Sequence, residues 1–339
     1  MTPLLTIAIP TYNRVDCLRV LIERIIGELE KISDWESFVE LVVVDNASTD
    51  GTNDYLADLK MRISCVVYRN AENLGMDGNF VRCFEVATGR WLWLCSDDDL
   101  PMVGAISLIL DTLRGPNANC GLIYLPTRFH AGSLAENRER VEPQLLRVEG
   151  AHQFAARVNG LFTFITCIIA NRQAFLAAVP EPDLSTLRGS FFVFFEWHLE
   201  LLKRAKKFGY FPRPLMLARA ENSRGYNFAQ VFTQRFNDAC GVKLSDKPRL
   251  RKLIVDGMRY RHLPNLFYKT RIGRNGNFDF DSANASNDYL RAYGTGPFYF
   301  LVMRPVFKFS PFLAKVALFF GRVWGKVWIE WVTRSSRRN

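Results

Sequence analysis

The sequence predicts an α/β fold, a mostly parallel sheet flanked by helices, with a helical extension at its C-terminal end. Over the first 125 residues, short β-branched or apolar runs alternate with longer stretches of helical period. Each of the first four runs is followed by a polar turn, and from about residue 228 the pattern becomes helical and basic. Strand followed by helix, repeated four times, calls for parallel strands covered on both faces.

The strands are read at 4–9, 38–45, 63–68, 91–95 and 120–125, with helices near 15–30, 51–60, 77–88 and 102–114. Ser48, Thr49 or Asp50 is available to cap the second helix. Residues 126–144 are polar and read as a long loop or lid. Residues 161–172 read as a strand entering a turn, and 191–209 as an amphipathic helix that ends in a Lys/Arg cluster and Gly209.

At 339 residues and 48% hydrophobic content, the chain can bury one large core or two ordinary ones. Its net charge of +10 is unevenly placed. Residues 1–239 hold 25 Lys and Arg against 28 Asp and Glu, whereas 240–275 hold 10 against 2 and 300–339 hold 8 against 1. A basic back half points to an anionic membrane or a nucleic acid. No nucleic-acid motif accompanies it, so nucleic acid is not expected as a partner. The seven cysteines lack C-x-x-C spacing and read as reduced core residues in a cytosolic compartment. The first residues, "MTPLLTIAIPTYNR", read as a strand and not as a signal peptide.

In open α/β sheets the ligand crevice lies beyond the carboxyl ends of the strands. Here those ends carry Pro10, Tyr12, Asn13 and Arg14; then Asp45; then "RNAENLGMDGN"; then Asp97, Asp98 and Asp99. Three adjacent carboxylates beside a buried strand repel one another unless a cation offsets them, and Mg²⁺ or Mn²⁺ suits such hard oxygen donors. Helix capping is the plain alternative for the triplet, and an Asx-turn is the plain alternative for Asp45. Neither G-x-G-x-x-G after the first strand nor G-x-x-x-x-G-K-[ST] occurs, which leaves a metal to hold any nucleotide's phosphates.

"IAIPTYNR", "VVDNASTDGT", "NAENLGMDGNF" and "LCSDDDLP", in this order, resemble the inverting family 2 glycosyltransferases of GT-A fold, and within them the abequosyltransferase-like enzymes of bacterial surface polysaccharide assembly. The resemblance is close over 4–125 and loose over 160–225. It implies a glycosyltransferase domain over 1–225, with 1–125 binding a nucleoside diphosphate sugar and 126–225 facing a saccharide acceptor. It places Pro10, Tyr12, Asn13 and Arg14 around the nucleoside and Asp45 at the base. Asn73 and Gly75 fall in the donor pocket, Asp97 toward the ribose, and Asp98 at the metal with Asp99 or Asp97 in support. The first acid of the family's Asp-x-Asp motif falls on Ser96, a departure. Arg219 and Asn222, in "LARAENSRGYN", match a later loop that closes over the diphosphate.

An inverting transfer needs a base for the acceptor hydroxyl. The family's Asp at the head of a helix matches Glu196 in "FFEWHLELLKR", with His198 as a rival base. A solvated helix residue paired with Lys203 is the plain alternative for Glu196. A catalytically inactive, membrane-bound assembly subunit that keeps the fold is the competing reading of the whole chain.

Residues 226–339 read as a helical basic region in which 311–332 forms an amphipathic helix. Lys315, Arg322 and Lys326 oppose a membrane span, since each cation at a bilayer centre costs about 2.5–3.5 kcal/mol. Trp324, Trp328, Trp331 and the final "RSSRR" suit an anionic membrane surface, here the inner face of the cell membrane, where the acceptor would be lipid-linked. Packing on the protein's own core, or on a second copy in a homo-oligomer, is the alternative.

Overall fold

The computed structural model describes residues 2–115, 119–130, 132–219, 227–273 and 280–335. It forms two compact units: residues 1–149, 164–189 and 193–219, and residues 150–163, 190–192 and 220–339. The division read from the sequence, at 225/226, kept 126–225 whole; in the structure two short segments, 150–163 and 190–192, belong with the second unit.

The first unit is built on the strands β1 (Leu5–Thr11), β2 (Val39–Asp45), β3 (Val66–Arg69), β4 (Trp91–Leu94), β5 (Leu100–Pro101), β6 (Leu122–Tyr124), β7 (Thr127–His130), β8 (Arg147–Glu149), β9 (Ile168–Ala170), β10 (Phe208–Tyr210) and β11 (Met216–Arg219). Among the described residues the large sheet runs β3-β2-β1-β4-β9-β6-β10-β8, and a small one runs β5-β11-β7. From β3 to β4 every pairing is parallel, so the polar turns after these strands gather on one rim. β9 then enters antiparallel between β4 and β6. The strand read at 161–172 is thus only three residues long, preceded by 3₁₀ turns at Asn159–Thr163 and Ile165–Cys167.

Helices α1 (Val15–Leu29), α2 (Thr52–Arg62), α3 (Gly75–Val86) and α4 (Ala105–Arg114) follow the first strands. Alternation along β1 serves both faces of the sheet. Leu5, Ile7 and Ile9 share one core with Leu18, Ile22 and Ile25 of α1 and with Ile106, Ile109 and Leu110 of α4. The same unit holds α6 (Arg172–Ala178) and α7 (Phe195–Arg204); α5 (Ala151–Val158) belongs to the second unit. Phe84 of α3 stacks on Trp197 of α7 at 4.7 Å and meets Phe175 of α6 edge-on at 5.5 Å. The cap expected for α2 is not a side-chain cap of Ser48, Thr49 or Asp50: Gly51, at φ 85°, holds the N-cap position. Asp50 instead bonds the N–H and hydroxyl of Thr52. The helix read at 191–209 is shorter than expected, because Ala205 turns extended and Phe208–Tyr210 pairs with β6.

The second unit contains α5 with α8 (Phe228–Gln230), α9 (Phe236–Lys243), α10 (Pro248–Gly257), α11 (Leu263–Arg271), α12 (Ser282–Tyr293), α13 (Arg304–Lys308) and α14 (Pro311–Ser335). Phe236, Phe267, Tyr289 and Phe307 are fully or nearly fully buried within it. One face of α14 is inward: Ala314, Ala317 and Leu318 are buried, and a Cβ on Gly321 would come within 2.9 Å of Val302 Cγ1. Small residues therefore let the helix approach closely. The outward face keeps Phe312, Phe319, Phe320, Val327 and Trp331 exposed, alternating with Lys315, Arg322 and Lys326. Among the described residues no helix is long and apolar enough to cross a membrane. The cysteines are all free, five of them buried.

Candidate active site at the carboxyl ends of the sheet

Two loops are latched together where β1 and β2 end. Asn13, at φ 51°, donates its N–H to Ser48 Oγ (2.9 Å), and its Oδ1 accepts from Thr49 N (2.7 Å). Asparagine tolerates this left-handed backbone better than branched residues do. Asp50 accepts from Val15 N (3.0 Å) and so satisfies a donor in the first turn of α1. Tyr12 is exposed on the same loop. Pro10 is not in the loop: it is buried inside β1, paired with Val44.

Asp45 is fully buried. Its Oδ1 accepts from Ser48 N (3.0 Å) and its Oδ2 from Arg69 Nη1 (2.5 Å), while Arg69 Nη2 donates to Ser48 O (2.8 Å). The carboxylate expected to face a base is thus engaged in shaping the turn, with Arg69 neutralising it. Next to it, Asn46 Oδ1 accepts from Asn70 Nδ2 and Leu74 N, and Asn46 Nδ2 donates to Asn73 Oδ1 (2.7 Å) and Gly75 O. Asn70 continues to Asn79, and Asn79 to Val44 O. This asparagine chain ties the ends of β2 and β3 to the start of α3 and leaves Asn73 and Gly75 at the surface. Gly75 sits at φ 72°, a conformation a Cβ would strain.

The acidic triplet is not three equivalent charges. Asp97 Oδ1 accepts from Arg14 Nη1 (2.9 Å) and Oδ2 from Thr11 Oγ1 (2.8 Å). Asp98 Oδ2 accepts from the same Arg14 nitrogen (2.8 Å), and Oδ1 from Ser96 Oγ (2.6 Å). Asp99 points inward to Thr166 Oγ1 (2.5 Å). Burial, opposed by Arg14 and reinforced by Asp98, raises Asp97 above the usual carboxylate range; burial and then Asp98 raise Asp99 well above it. Burial alone would lower Arg14, but Asp97 and Asp98 outweigh it and hold the guanidinium charged. The cation offsetting the triplet within the chain is therefore an arginine.

Arg219, at the end of β11, brings Nη1 to 3.4 Å from Cys17 Sγ on the first turn of α1, beside Asp97 and Asp98. Sequence reading placed Arg219 near the diphosphate, and the fold brings it to this rim. Asn222 lies outside the described residues. Glu196 is buried in the first turn of α7, where its Oε1 accepts from Leu187 N (3.0 Å), and Lys203 pairs with Glu200. Asp77, in the first turn of α3, accepts from Val193 N at 3.3 Å and so steadies the lead-in to α7. His198 is 2% exposed against Phe194 and Trp197, and burial lowers its pKa to about 3. An imidazole sealed among rings takes a proton reluctantly, and Glu196 beside it is buried to a similar degree.

Thr11, Asn46, Arg69, Asn70, Asp77 and Asn79 lie in rim segments that the sequence marks without giving them a role, and Thr166 was missed. The Asn and Asp spacing within "RNAENLGMDGN" was the one signal on the chain; for Thr11 and Thr166 partners 86 and 67 residues away carry no local signal.

Among the described residues no group of three or more His, Cys, Asp or Glu is arranged to hold a metal. Asp98 is the partly exposed carboxylate of the triplet, with the Ser96 hydroxyl beside it. Asp99, turned into the core, is not placed to join it. Such a set fits a hard cation whose shell is completed by water and substrate phosphates, not a closed protein cage.

The family model described as Glycosyl transferase family 2 matches residues 6–176. The abequosyltransferase RfbV of Salmonella typhimurium is 25% identical over 287 residues, covering 79% of this chain and 77% of that protein. The crystal structure of S. aureus TarS 1–349 in complex with UDP-GlcNAc superposes with a TM-score of 0.59 at 12% identity, over 94% of this chain and 91% of that one. The mannosyltransferase PcManGT of Pyrobaculum calidifontis, in complex with GDP-Man and Mn²⁺, gives 0.53 at 16% identity, over 100% and 87%. At such identities the structural likeness carries the GT-A fold.

Proposed function

The chain belongs to glycosyl transferase family 2, and from that premise we propose that it transfers a sugar, with inversion, from a nucleoside diphosphate donor to a saccharide acceptor in bacterial surface polysaccharide assembly. The observation that carries this reading is the rim itself: Arg14, Asp97, Asp98, the Asn73–Gly75 turn and Arg219 gather at the carboxyl ends of parallel strands. Similarity to an abequosyltransferase over most of both chains supports the polysaccharide context. The neighbours' UDP-GlcNAc, GDP-Man and Mn²⁺ support a nucleotide sugar and a divalent cation.

In this reading Tyr12 and the Asn13–Ser48 latch form the nucleoside wall, and Arg14 holds Asp97 for the ribose. Asp98 would hold Mn²⁺ or Mg²⁺, which when bound supplies charge stabilisation to the departing diphosphate. Arg219 approaches the same oxygens. Glu196 takes the proton from the acceptor hydroxyl as it attacks the anomeric carbon, once the Leu187 loop yields its hydrogen bond. The exposed face of α14, apolar with interspersed cations, rests on an anionic membrane, and the acceptor is lipid-linked.

A binding and turnover screen over UDP, GDP, CDP and dTDP sugars with Mn²⁺ tests the proposal. Turnover of one donor that collapses in Asp98→Asn supports it. Absence of both binding and turnover for every donor favours the inactive assembly subunit.

A further inference from the structure

A cavity of about 560 Å³ opens between α1 and residues 135–140, with Leu100 and Val103 also on its wall and none of Arg14, Asp97 or Asp98. Its wall carries Arg19 and Arg24 from α1, Lys31 just past the end of that helix, and Arg138 and Arg140 from the loop, against two carboxylates, Glu23 and Glu28. Both carboxylates are engaged. Glu23 takes Arg62 through both oxygens (2.8 and 3.2 Å), and Glu28 takes Lys31 (2.6 Å) and Gly104 N. Glu139, between the two loop arginines, turns the other way to Arg128.

The loop is not loosely placed. Val103 N donates to Glu139 O (2.9 Å) and Val141 N to Val103 O (3.0 Å), a parallel bridge that sets Arg138 and Arg140 on one side. Arg24 spans the cavity to Pro101 O (2.7 Å) and Asn137 O. Carbonyl dipoles orient a guanidinium without cancelling its charge. Burial, and then the charge of Arg138, lower the Arg24 pKa, the direction expected of like charges held together. Gly27 lies in the last turn of α1 on the cavity wall, where a Cβ would meet nothing within 4 Å. No packing contact requires glycine there.

We propose that this cavity is an anion site, separate from the donor rim, that takes a diphosphate group. A single phosphate is smaller than the space, and the cations approach from two sides, as a two-phosphate anion would use. The diphosphate is either free or the headgroup of a lipid. This inference does not depend on the transferase reading.

Calorimetric titration of the full chain with inorganic pyrophosphate, in chelator to exclude divalent metal, tests it. Three variants are compared: the double substitution Arg138→Gln with Arg140→Gln, Gly27→Glu, which places a carboxylate in the cavity without disturbing α1, and Asp98→Asn. The expected result is saturable binding weakened at least about tenfold in the first two and unchanged in the third, with melting temperatures preserved. Equal affinity in all the proteins, loss only in Asp98→Asn, or no binding at all would overturn the proposal. Flotation with phosphatidylcholine vesicles carrying a polyprenyl diphosphate separates the sources. Capture lost in the Arg138/Arg140 variant assigns the lipid headgroup, and capture unchanged while pyrophosphate binding is lost assigns the free anion.

Discussion

The Arg14 guanidinium stands 2.9 Å from the Asp97 carboxylate and joins the loop after β1 to the turn after β4, 83 residues away. The same nitrogen reaches Asp98, so one cation holds two acids that would otherwise repel across the mouth of the site. Replacing it with Gln leaves both uncompensated. Arg14→Gln is expected to lose about 1–2 kcal/mol of unfolding free energy by urea titration, less than for a sealed pair because its side chain is 34% exposed. Added Mn²⁺ is expected to recover part of that loss.

Asp98 and Asp99 differ in what they face, and their substitutions separate accordingly. Asp98→Asn keeps an acceptor for Ser96 but loses the exposed charge, so kcat should fall by about 10²- to 10³-fold, with a weakened response to Mn²⁺ in initial-rate assays. Asp99→Asn still accepts from Thr166 and should keep the metal response of the parent. Equal metal responses in the two variants would contradict the assignment.

Glu196 serves either as a base or as a prop for Leu187, and Gln distinguishes the roles. The Gln carbonyl still accepts from Leu187 N, yet it takes no proton at neutral pH. As a base, Glu196→Gln loses about 10²- to 10⁴-fold in kcat with donor affinity retained. As a prop, the Gln variant works normally and only Glu196→Ala fails.

Two histidines, His198 buried and His262 half-buried, are expected to make stability depend on pH. Burial depresses His198 to about 3, and burial with the Arg261 charge depresses His262 to about 4, from an ordinary 6.5. Below pH 6.5 the unfolded chain binds protons that the folded chain refuses. Stability is therefore full above about 6.5 and falls with acid, by up to about 1.4 kcal/mol per pH unit for each histidine, until the folded values are reached. His198 Nδ1 is buried with no hydrogen-bond partner. His198→Phe should therefore flatten the slope of urea stability between pH 6.5 and 4 without lowering stability at pH 8.

The outward face of α14 is open to a direct test because its inward face does the packing. Exchanging Phe312, Phe319 and Trp331 for Ser should abolish flotation with anionic vesicles while leaving the melting temperature within about 2 °C. Unchanged flotation would refute a membrane role.

Sequence alone determined the parallel front of the sheet, because burial on both faces imprints apolar runs such as 41–44 whatever the tertiary context. It also determined that the polar turns share one rim, since parallel strands carry their carboxyl ends to the same side. The turn to helix near residue 228 was legible for the same reason of local period. Tertiary structure alone decided which carboxylates face solvent. Asp97, Asp98 and Asp99 are adjacent and chemically identical, and only partners far along the chain, Arg14, Thr11 and Thr166, turn each a different way. It also decided that Asp45 serves its turn, that His198 is sealed, that β9 runs antiparallel, and that Arg219 meets Cys17. Local period reports burial, whereas the direction and charge of a polar side chain depend on what folding brings against it.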